Sequence, residues 1–353
     1  VPWLAKFQRN IATTQNKRGC STPKGFHKHG THLSMMQNDR HILGLENVPA
    51  SIRGCALTIG NFDGVHRGHR QIVSHARSLA DAEAEAVVAV TFDPPPYLVL
   101  RPCDEPQRVG PHEETVAYLL EAGCDYVVTI RTNLDLLHMT PDAFINKVIQ
   151  HRFAPRHIIE GPNFFFGRGR TGTIATLQKA GQKLGFLVHV FEPVIVELDG
   201  EPTRVSSTLI RRLIRAGRVD VAANLLARPF ALTGRVVHGD HLGRTLHYPT
   251  ANLDRGEQIV PADGVYAGSA VLDTKIYPAA ISIGYKPTFA SDHRTIEAHL
   301  VGADGDFYGH RIRFDFLQRL REQVRYDTVE DLVRQIARDV DITKGIVHRA
   351  HGI

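Results

Sequence analysis

A change in hydrophobic pattern near Gly217 constrains the fold of this chain more than any other feature of its 353 residues. On its N-terminal side, short apolar runs such as Ala56–Ile59 and Ala86–Phe92 alternate with segments of helical periodicity, among them Glu113–Ala122. Such alternation predicts a parallel sheet covered by helices, as in Rossmann-like folds. Ligands of these sheets bind beyond the carboxyl ends of the strands, so we expect a site there.

On the C-terminal side, short strand-like segments follow one another from about Phe230, separated by Gly, Asp and Pro. In Arg311–Phe316 apolar and polar residues alternate strictly, which is typical of a half-buried strand. Regularly spaced strands of this kind predict an antiparallel barrel or sandwich. An amphipathic helix from about Thr328 to Val340 follows the last strand. We therefore expect two domains, over residues 39–218 and 219–353.

Residues 1–38 carry six basic side chains and no acidic one. This composition fits a transit peptide, and it fits equally well a translated stretch upstream of the true start. The first residue, Val1, and the Met35–Met36 pair just before the first strongly apolar text favour the second interpretation. In either case we expect the segment to be disordered, because it has no hydrophobic period.

Charge and cysteine content exclude several classes of protein. Beyond residue 38, 36 Lys and Arg face 37 Asp and Glu, and such a neutral body gives no basis for nucleic-acid binding. The chain contains four cysteines, Cys20, Cys55, Cys103 and Cys124. None has CxxC spacing, which argues against a disulfide scaffold or a cysteine zinc site. No apolar run reaches the roughly 18 residues of a membrane span, and we expect a cytoplasmic protein, monomeric or weakly homo-oligomeric.

The sharpest motif is Gly60–His69, which follows a predicted strand and opens a predicted helix. His66 and His69 are three residues apart, so both imidazoles lie on one helix face. Gly68 lets a phosphate come close, and the free amides of the helix start form an anion site. Two N–H donors aimed at one phosphate would stabilise the charge that builds on it during transfer. The alternative is two surface histidines in a turn.

The segment Val205–Arg211 places three hydroxyl side chains and an arginine at another predicted helix start. The four side chains that we expect to hold ATP phosphates are Ser206, Ser207, Thr208 and Arg211. Taken alone, the same text is also an ordinary helix N-cap.

Together these motifs resemble those of the HxGH nucleotidyltransferases. Phe164–Gly172 is similar to the FxFGxxRxG stretch of bacterial bifunctional riboflavin kinase/FMN adenylyltransferases, and Val90–Pro94 resembles their TFxPHP segment. The resemblance implies further ATP-binding residues at Gly60, Asn61, Phe62, Gly68 and Arg170, and flavin-binding residues at Asn163, Phe164 and Phe166. The chain departs from the family at Pro95, where a His is usual, and at Pro162 and Phe165, where an acidic residue and an Arg are usual.

The second half carries the text PTAN within Tyr248–Leu253. In an extended segment, the Thr250 hydroxyl and the Asn252 carbonyl point the same way, and both are hard oxygen ligands suited to a Mg²⁺ that also holds ATP phosphates. PTAN alone could form a turn, but the whole run Gly234–Asn252 is similar to the riboflavin kinase signature. The resemblance implies that Gly239 and Gly243 contact ATP.

Glu297 lies in Thr295–Leu300, a predicted strand whose apolar residues share one face and leave Glu297 on the other. By itself the pattern is also that of a surface carboxylate. The resemblance to riboflavin kinases implies that Glu297 is the base that takes the proton from the ribityl 5′-hydroxyl.

Each motif occurs in the order found in the bifunctional family, and the resemblance extends over about residues 42–340. It implies a Rossmann-like adenylyltransferase domain and a barrel kinase domain with a terminal helix. It also implies that the chain phosphorylates riboflavin to FMN with ATP and Mg²⁺, then transfers AMP from ATP to FMN to give FAD. Two alternatives remain open, a kinase whose first domain is impaired and a flavin-binding regulator without turnover.

Overall fold

The computed structural model describes residues 39–101, 108–239, 242–285 and 294–352, and the segment 1–38, for which we expect disorder, lies outside them. Six parallel strands form a sheet in the order β1-β4-β3-β2-β5-β6. Their bounds are β1 His41–Leu43, β2 Ala56–Ile59, β3 Val87–Asp93, β4 Tyr126–Arg131, β5 His157–Glu160 and β6 Leu187–Val190. The sheet confirms the parallel architecture predicted from the strand–helix alternation.

Helices cover both faces of this sheet. They are α1 Arg67–Glu83, α2 Pro96–Leu100, α3 His112–Ala122, α4 Leu134–Leu137, α5 Pro141–Phe144, which continues as a π-helix over Ile145–Phe153, and α6 Ile174–Leu184. Short 3-10 turns occur at Leu45–Asn47, Ala50–Ile52 and Arg168–Arg170. All four residues of β2 are buried, as expected of a central strand covered on both faces. Its odd and even positions enter separate apolar clusters on the two faces.

A small hairpin and two helices connect the sheet to the second half. The elements are β7 Ile195–Leu198, β8 Glu201–Arg204, α7 Ser207–Arg215 and α8 Val219–Leu226. Apolar residues of both helices, including Ile210 and Leu225, belong to the same buried cluster as the barrel strands. The connecting helices therefore pack with the C-terminal half, while the start of α7 reaches the edge of the parallel sheet.

Six antiparallel strands close into a barrel in the order β10-β13-β12-β11-β14-β9. Their bounds are β9 Phe230–Val237, β10 Thr250–Asp254, β11 Gly264–Leu272, β12 Lys275–Gly284, β13 Thr295–Leu300 and β14 Arg311–Arg321. A short helix, α9 Leu242–Thr245, precedes β10, and α10 Val329–His351 ends the fold. Closure settles the choice between barrel and sandwich.

The terminal helix α10 is longer than the amphipathic pattern predicted. It continues past Val340 because Thr343 and Val347 are fully buried and His351 lies 3.2 Å from the hydroxyl of Ser269. None of the helices in the described part of the chain has the length and apolar character needed to cross a bilayer.

Candidate active sites

The turn between β2 and α1 brings His66 and His69 together at the carboxyl edge of the parallel sheet. His66 is the N-cap of α1, and its Nδ1 accepts from the backbone N–H of His69 at 3.4 Å. The two rings stack with centroids 3.7 Å apart and planes 16° apart. The structure thus places the two imidazoles side by side, as the spacing of the motif predicted.

Gly68 and Phe62 restrict the positions of the two imidazole rings. A Cβ at Gly68 would lie 3.2 Å from ring atoms of His66, so a larger residue would push that ring away. The ring of Phe62 meets His69 edge-on at 5.2 Å, and a Cβ at Gly60 would lie 3.3 Å from Phe62. Asn61 is exposed at the surface of the turn, and its carbonyl oxygen accepts from Thr91.

Both histidines are held in the neutral form. Burial lowers the pKa of His66 to about 4, and the charges of Arg228, Arg204 and Arg211 act in the same direction. Loss of contact with water lowers the pKa of His69 well below its ordinary value, and His66 and the charge of Arg228 act in the same direction. At neutral pH the imidazoles are therefore uncharged N–H donors, and the surrounding arginines supply the positive charge.

The second phosphate motif joins the first through Asp63, a buried carboxylate inside the turn. Arg211 donates to Asp63 Oδ2 at 2.6 Å, and the Ser207 hydroxyl donates to the Asp63 carbonyl oxygen at 2.8 Å. Burial raises the pKa of Asp63, against the opposing effects of Arg211 and of the backbone N–H of Val109, which lies 2.9 Å from Oδ1. Residues 148 positions apart are thus fastened to each other.

Within α7 the remaining motif residues have modest structural contacts. Ser206 caps the helix by accepting from the backbone N–H of Leu209 at 3.2 Å, the structural role that its sequence also allowed. The exposed hydroxyl of Thr208 accepts from Arg211 at 3.4 Å. The hydroxyl protons of both residues stay available to a bound phosphate.

The loop that follows β5 presents a different aromatic residue from those expected. Phe164 and Phe166 stack at 5.3 Å, but Phe166 is buried, and a Cβ at Gly172 would lie 2.7 Å from its ring. Phe165 is the exposed ring, with the guanidinium of Arg170 4.9 Å from its centroid. Phe166 therefore braces the loop from inside, while Phe165 offers an apolar surface.

At this edge, Arg204, Arg228 and Glu160 were missed from the sequence, whereas Asn163 was expected there. The side-chain oxygen of Asn163 accepts from Arg204 at 3.2 Å, and Arg228 contacts the turn from the C-terminal half. Glu160, at the end of β5, accepts from the backbone N–H of Ile59 at 2.6 Å, and burial raises its pKa well above the usual range. An acidic residue inside an apolar strand was the available signal for Glu160.

The barrel site forms where β10 pairs with β13. Asn252 lies opposite Glu297, and Thr250 lies opposite His299. These strands form one wall of an open cleft, which Gly243, Thr250 and Glu297 line. Strand pairing thus brings together the two expected metal ligands and the expected base, although they are 45 residues apart.

The oxygen donors of this cleft fit a magnesium ion. A hydroxyl, an amide oxygen and a carboxylate on paired strands are the hard ligands that Mg²⁺ prefers. A Cβ at Gly239 would lie 2.3 Å from the Asn252 amide, and one at Gly243 would lie 3.1 Å from Thr250 Oγ1. Both glycines therefore leave space beside the donors that any larger residue would fill.

The opposite wall of the cleft comes from α10 and the segment before it, which the sequence did not assign to the site. Leu332 and Ile336 contribute apolar surface. Arg321 donates to Asp339 through Nη2 at 2.8 Å and Nε at 3.0 Å, which fastens α10 to the end of β14. The Ser282 hydroxyl accepts from the Gln323 amide at 3.0 Å.

Comparison with known proteins matches a family model to each half of the chain. The FAD synthetase family model matches residues 48–209, and the riboflavin kinase model matches residues 226–347. The bifunctional riboflavin kinase/FMN adenylyltransferase of Escherichia coli (strain K12) is 36% identical over 300 residues, covering 84% of this chain and 95% of that protein. Its counterpart from Pseudomonas fluorescens is 37% identical over 306 residues, with 86% and 97% covered.

A crystal structure of a macrolide-efflux protein from Streptococcus pneumoniae has the same fold. It is 28% identical with a TM-score of 0.75, and the match covers 86% of this chain and 99% of that one. With a family model on each half and relatives similar along nearly their whole length, the chain belongs to the bifunctional riboflavin kinase/FMN adenylyltransferase family.

Proposed function

We propose that the chain converts riboflavin to FAD in two steps, with the barrel cleft as the kinase site and the carboxyl edge of the parallel sheet as the adenylyltransferase site. The main support for this proposal is that, in each half, motif residues that are far apart in sequence lie close together in the structure. In the first half the gathering contact is Asp63 with Arg211, and in the second it is the pairing of Asn252 with Glu297.

In the adenylyl step, an FMN phosphate oxygen attacks the α-phosphorus of ATP, and the bond to the β-phosphate oxygen breaks to release pyrophosphate. His66 and His69 donate N–H groups to the α-phosphate as its charge builds. The triphosphate lies along the turn and the start of α7, where the ATP-binding residues are Gly60, Asn61, Phe62, Gly68, Ser206, Ser207, Thr208 and Arg211. Positioning and charge neutralisation are sufficient, because the mechanism has no covalent enzyme intermediate.

The flavin of FMN lies against the loop that follows β5. Asn163, Phe164 and Phe166 hold the shape of this loop, and the exposed ring of Phe165 adds apolar surface where the family usually has Arg. Arg170, which lies over the ring of Phe165, is available to a phosphate.

In the kinase step, Glu297 takes the proton from the 5′-hydroxyl of riboflavin, whose oxygen attacks the γ-phosphorus of ATP while ADP leaves. Thr250 and Asn252 would hold Mg²⁺, which would neutralise phosphate charge when bound. Gly239 and Gly243 allow the phosphates of ATP to approach the backbone. Leu332 and Ile336 offer an apolar wall for the flavin ring.

We further propose the division of function at residue 218, between domains 39–218 and 219–353. The ATP motif at the start of α7 serves the first domain, while the apolar face of α7 packs with the barrel. The small-molecule substrates need no other partner, and a monomer or weak homo-oligomer in the cytoplasm is consistent with this role.

The test is one incubation of the purified protein with riboflavin, ATP and Mg²⁺, followed by chromatography of the flavins. We expect FMN first and FAD after it. FMN alone would identify a kinase with an impaired first domain. The departures from the family at Pro95, Pro162 and Phe165 would then be the candidate cause of the impairment. Bound but unchanged riboflavin would identify a flavin-binding regulator.

A further inference from the structure

The turn that carries His66 has a backbone that needs external support. Gly64 and Val65 both have positive φ, at 80° and 36°. A β-branched residue such as Val65 is strained in that region and stays there only when its surroundings hold it. Because Val65 directly precedes His66, whatever holds this turn also sets the direction of the His66 ring.

Arg228, which is distant in sequence, forms hydrogen bonds with the backbone of this turn. Its Nη2 donates to the carbonyl oxygen of Gly64 at 2.7 Å, across 164 residues. Its Nη1 lies 3.4 Å from the Val65 carbonyl oxygen and 3.2 Å from that of Leu226. One guanidinium therefore ties two consecutive carbonyls of the turn to the end of α8, a geometry that suits the planar fork of arginine and not the ammonium of lysine.

Tyr118, on α3, holds Arg228 in place and links it to the barrel. The Arg228 guanidinium carbon lies 3.6 Å from the centroid of the Tyr118 ring, a close cation–π contact. The Tyr118 hydroxyl accepts from Arg313 of β14 at 2.6 Å, and Arg313 is itself paired with Asp315 at 2.8 Å. A continuous series of contacts thus runs from barrel strand β14 to the turn before His66.

We propose that Arg228 is a positioning residue for adenylyl transfer, which fixes the Gly64–Val65 turn so that His66 faces the α-phosphate, and that Tyr118 anchors Arg228 to the kinase barrel. This inference rests on the proposed adenylyltransferase function. Arg228 touches no reacting atom in this account, so its effect is on the geometry of the transition state and not on the affinity for ATP.

The test compares steady-state kinetics of FAD formation from FMN and ATP in the parent protein and in Arg228→Gln and Arg228→Lys. For Arg228→Gln we expect kcat to fall about 10²-fold, the loss expected when a reacting group is misplaced by about 1 Å. The KM for ATP should change less than about twofold, and riboflavin phosphorylation should remain. Arg228→Lys should recover part of kcat, because an ammonium can still reach one carbonyl.

A pH profile separates positioning from general loss of structure. Arg204, Arg211, His69 and Arg228 are the charged or titratable groups that act on His66 or face its ring. Removing the Arg228 charge raises the pKa of His66, so the acidic limb of the adenylyl-transfer profile should move to higher pH in Arg228→Gln. It should not move in Arg228→Lys, which keeps the charge.

Two further variants test the link to the barrel. Tyr118→Phe keeps the ring under Arg228 and removes the hydroxyl contact with Arg313, so we expect a smaller fall in kcat than in Arg228→Gln. The matched control is Arg235→Gln, because Arg235 donates to the Gly309 carbonyl oxygen on the exposed surface of the barrel, and it should leave FAD formation unchanged.

A kcat within about twofold of the parent in Arg228→Gln, or equal losses of both activities in every variant, would overturn the inference. If the melting curve shows that Arg228→Gln does not fold, the inference is tested by the kcat values of Arg228→Lys and Tyr118→Phe. Parental kcat values in both variants would overturn the inference. Failure of the parent protein to make FAD from FMN would instead refute the adenylyltransferase function itself.

Discussion

At the carboxyl edge of the parallel sheet, His66 and His69 come from a single turn and helix start, whereas the barrel cleft gathers its groups from separate elements. Thr250 and Glu297 stand on two paired strands, and the facing wall comes from the C-terminal helix. Local sequence therefore dictates the proposed catalytic pair of the first site. In the second site, catalytic geometry depends on long-range strand pairing, and damage to the barrel should affect it first.

The two sites also differ in the charged groups that they present to phosphate. The first combines neutral imidazoles with a set of arginines and a buried Asp63–Arg211 ion pair. The second combines a carboxylate with oxygen donors that suit a divalent cation. This contrast predicts that substitutions confined to one site can abolish its activity and leave the other activity intact, which the following experiments examine.

The largest effect is expected from replacing His66 and His69 together with Ala. Removal of one such donor typically costs about 10²–10³ in rate, so loss of both should bring FAD formation below detection. FMN should still accumulate, because the kinase site lies in the barrel. The measurement is a flavin profile with riboflavin supplied, and an FAD peak equal to that of the parent would refute the role of these histidines.

The converse change is Glu297→Gln. The amide keeps the shape of the carboxylate but cannot take a proton, so we expect riboflavin phosphorylation to fall by about 10²–10⁴. FAD formation from supplied FMN should be unaffected. Phosphorylation at close to the parental rate would show that Glu297 is not the base.

A third change probes the ion pair that fastens the two ATP motifs. Asp63→Asn leaves Arg211, whose side chain is 16% exposed, without its charged partner. Removing one member of a fully buried pair costs about 3–5 kcal/mol, so we expect a smaller loss here. We expect a lower free energy of unfolding and a loss of FAD formation. Asp199→Asn is the matched control, because Asp199 pairs with Arg218 at the surface and should have no resolvable effect on the melting curve.

The smallest effect concerns pH. The pKa of His66 is about 4 in the folded chain and 6.5 when unperturbed, so between these values the unfolded chain binds a proton that the folded chain does not. The free energy of unfolding should therefore fall as the pH drops from 6.5 to 4, by up to about 1.4 kcal/mol per pH unit. Denaturant titrations across this range should show a shallower slope in a His66→Asn variant, and an unchanged slope would contradict the assignment.

Sequence patterns predicted the parallel sheet and the antiparallel strands because both follow from local periodicity. The adjacency of His66 and His69 was equally predictable, since their helical spacing decides it. The exposure of Phe165 instead of Phe166 was not predictable, because it depends on the packing of Phe166 against Gly172. The contacts of Arg228 with the turn before His66 join segments 164 residues apart in the chain, and no local pattern marks them.

The last turns of α10 were not anticipated for the same reason, whereas the hairpin β7–β8 was missed although its two-residue turn, Asp199–Gly200, is a local signal. The sequence after Val340 interrupts the apolar period with Asp341 and Lys344, yet Thr343 and Val347 are fully buried. A surface provided by another part of the fold thus extended the helix beyond its own amphipathic signal.

The central claim, two chemically distinct phosphate transfers at two sites of one chain, is tested most directly by following labelled ATP. The purified protein is incubated with riboflavin, Mg²⁺ and ATP labelled at either the γ- or the α-phosphate, and the label in each separated flavin is measured. The account predicts γ-label in both FMN and FAD, and α-label in FAD alone. Label from the α-phosphate in FMN, or none of it in FAD, would contradict it.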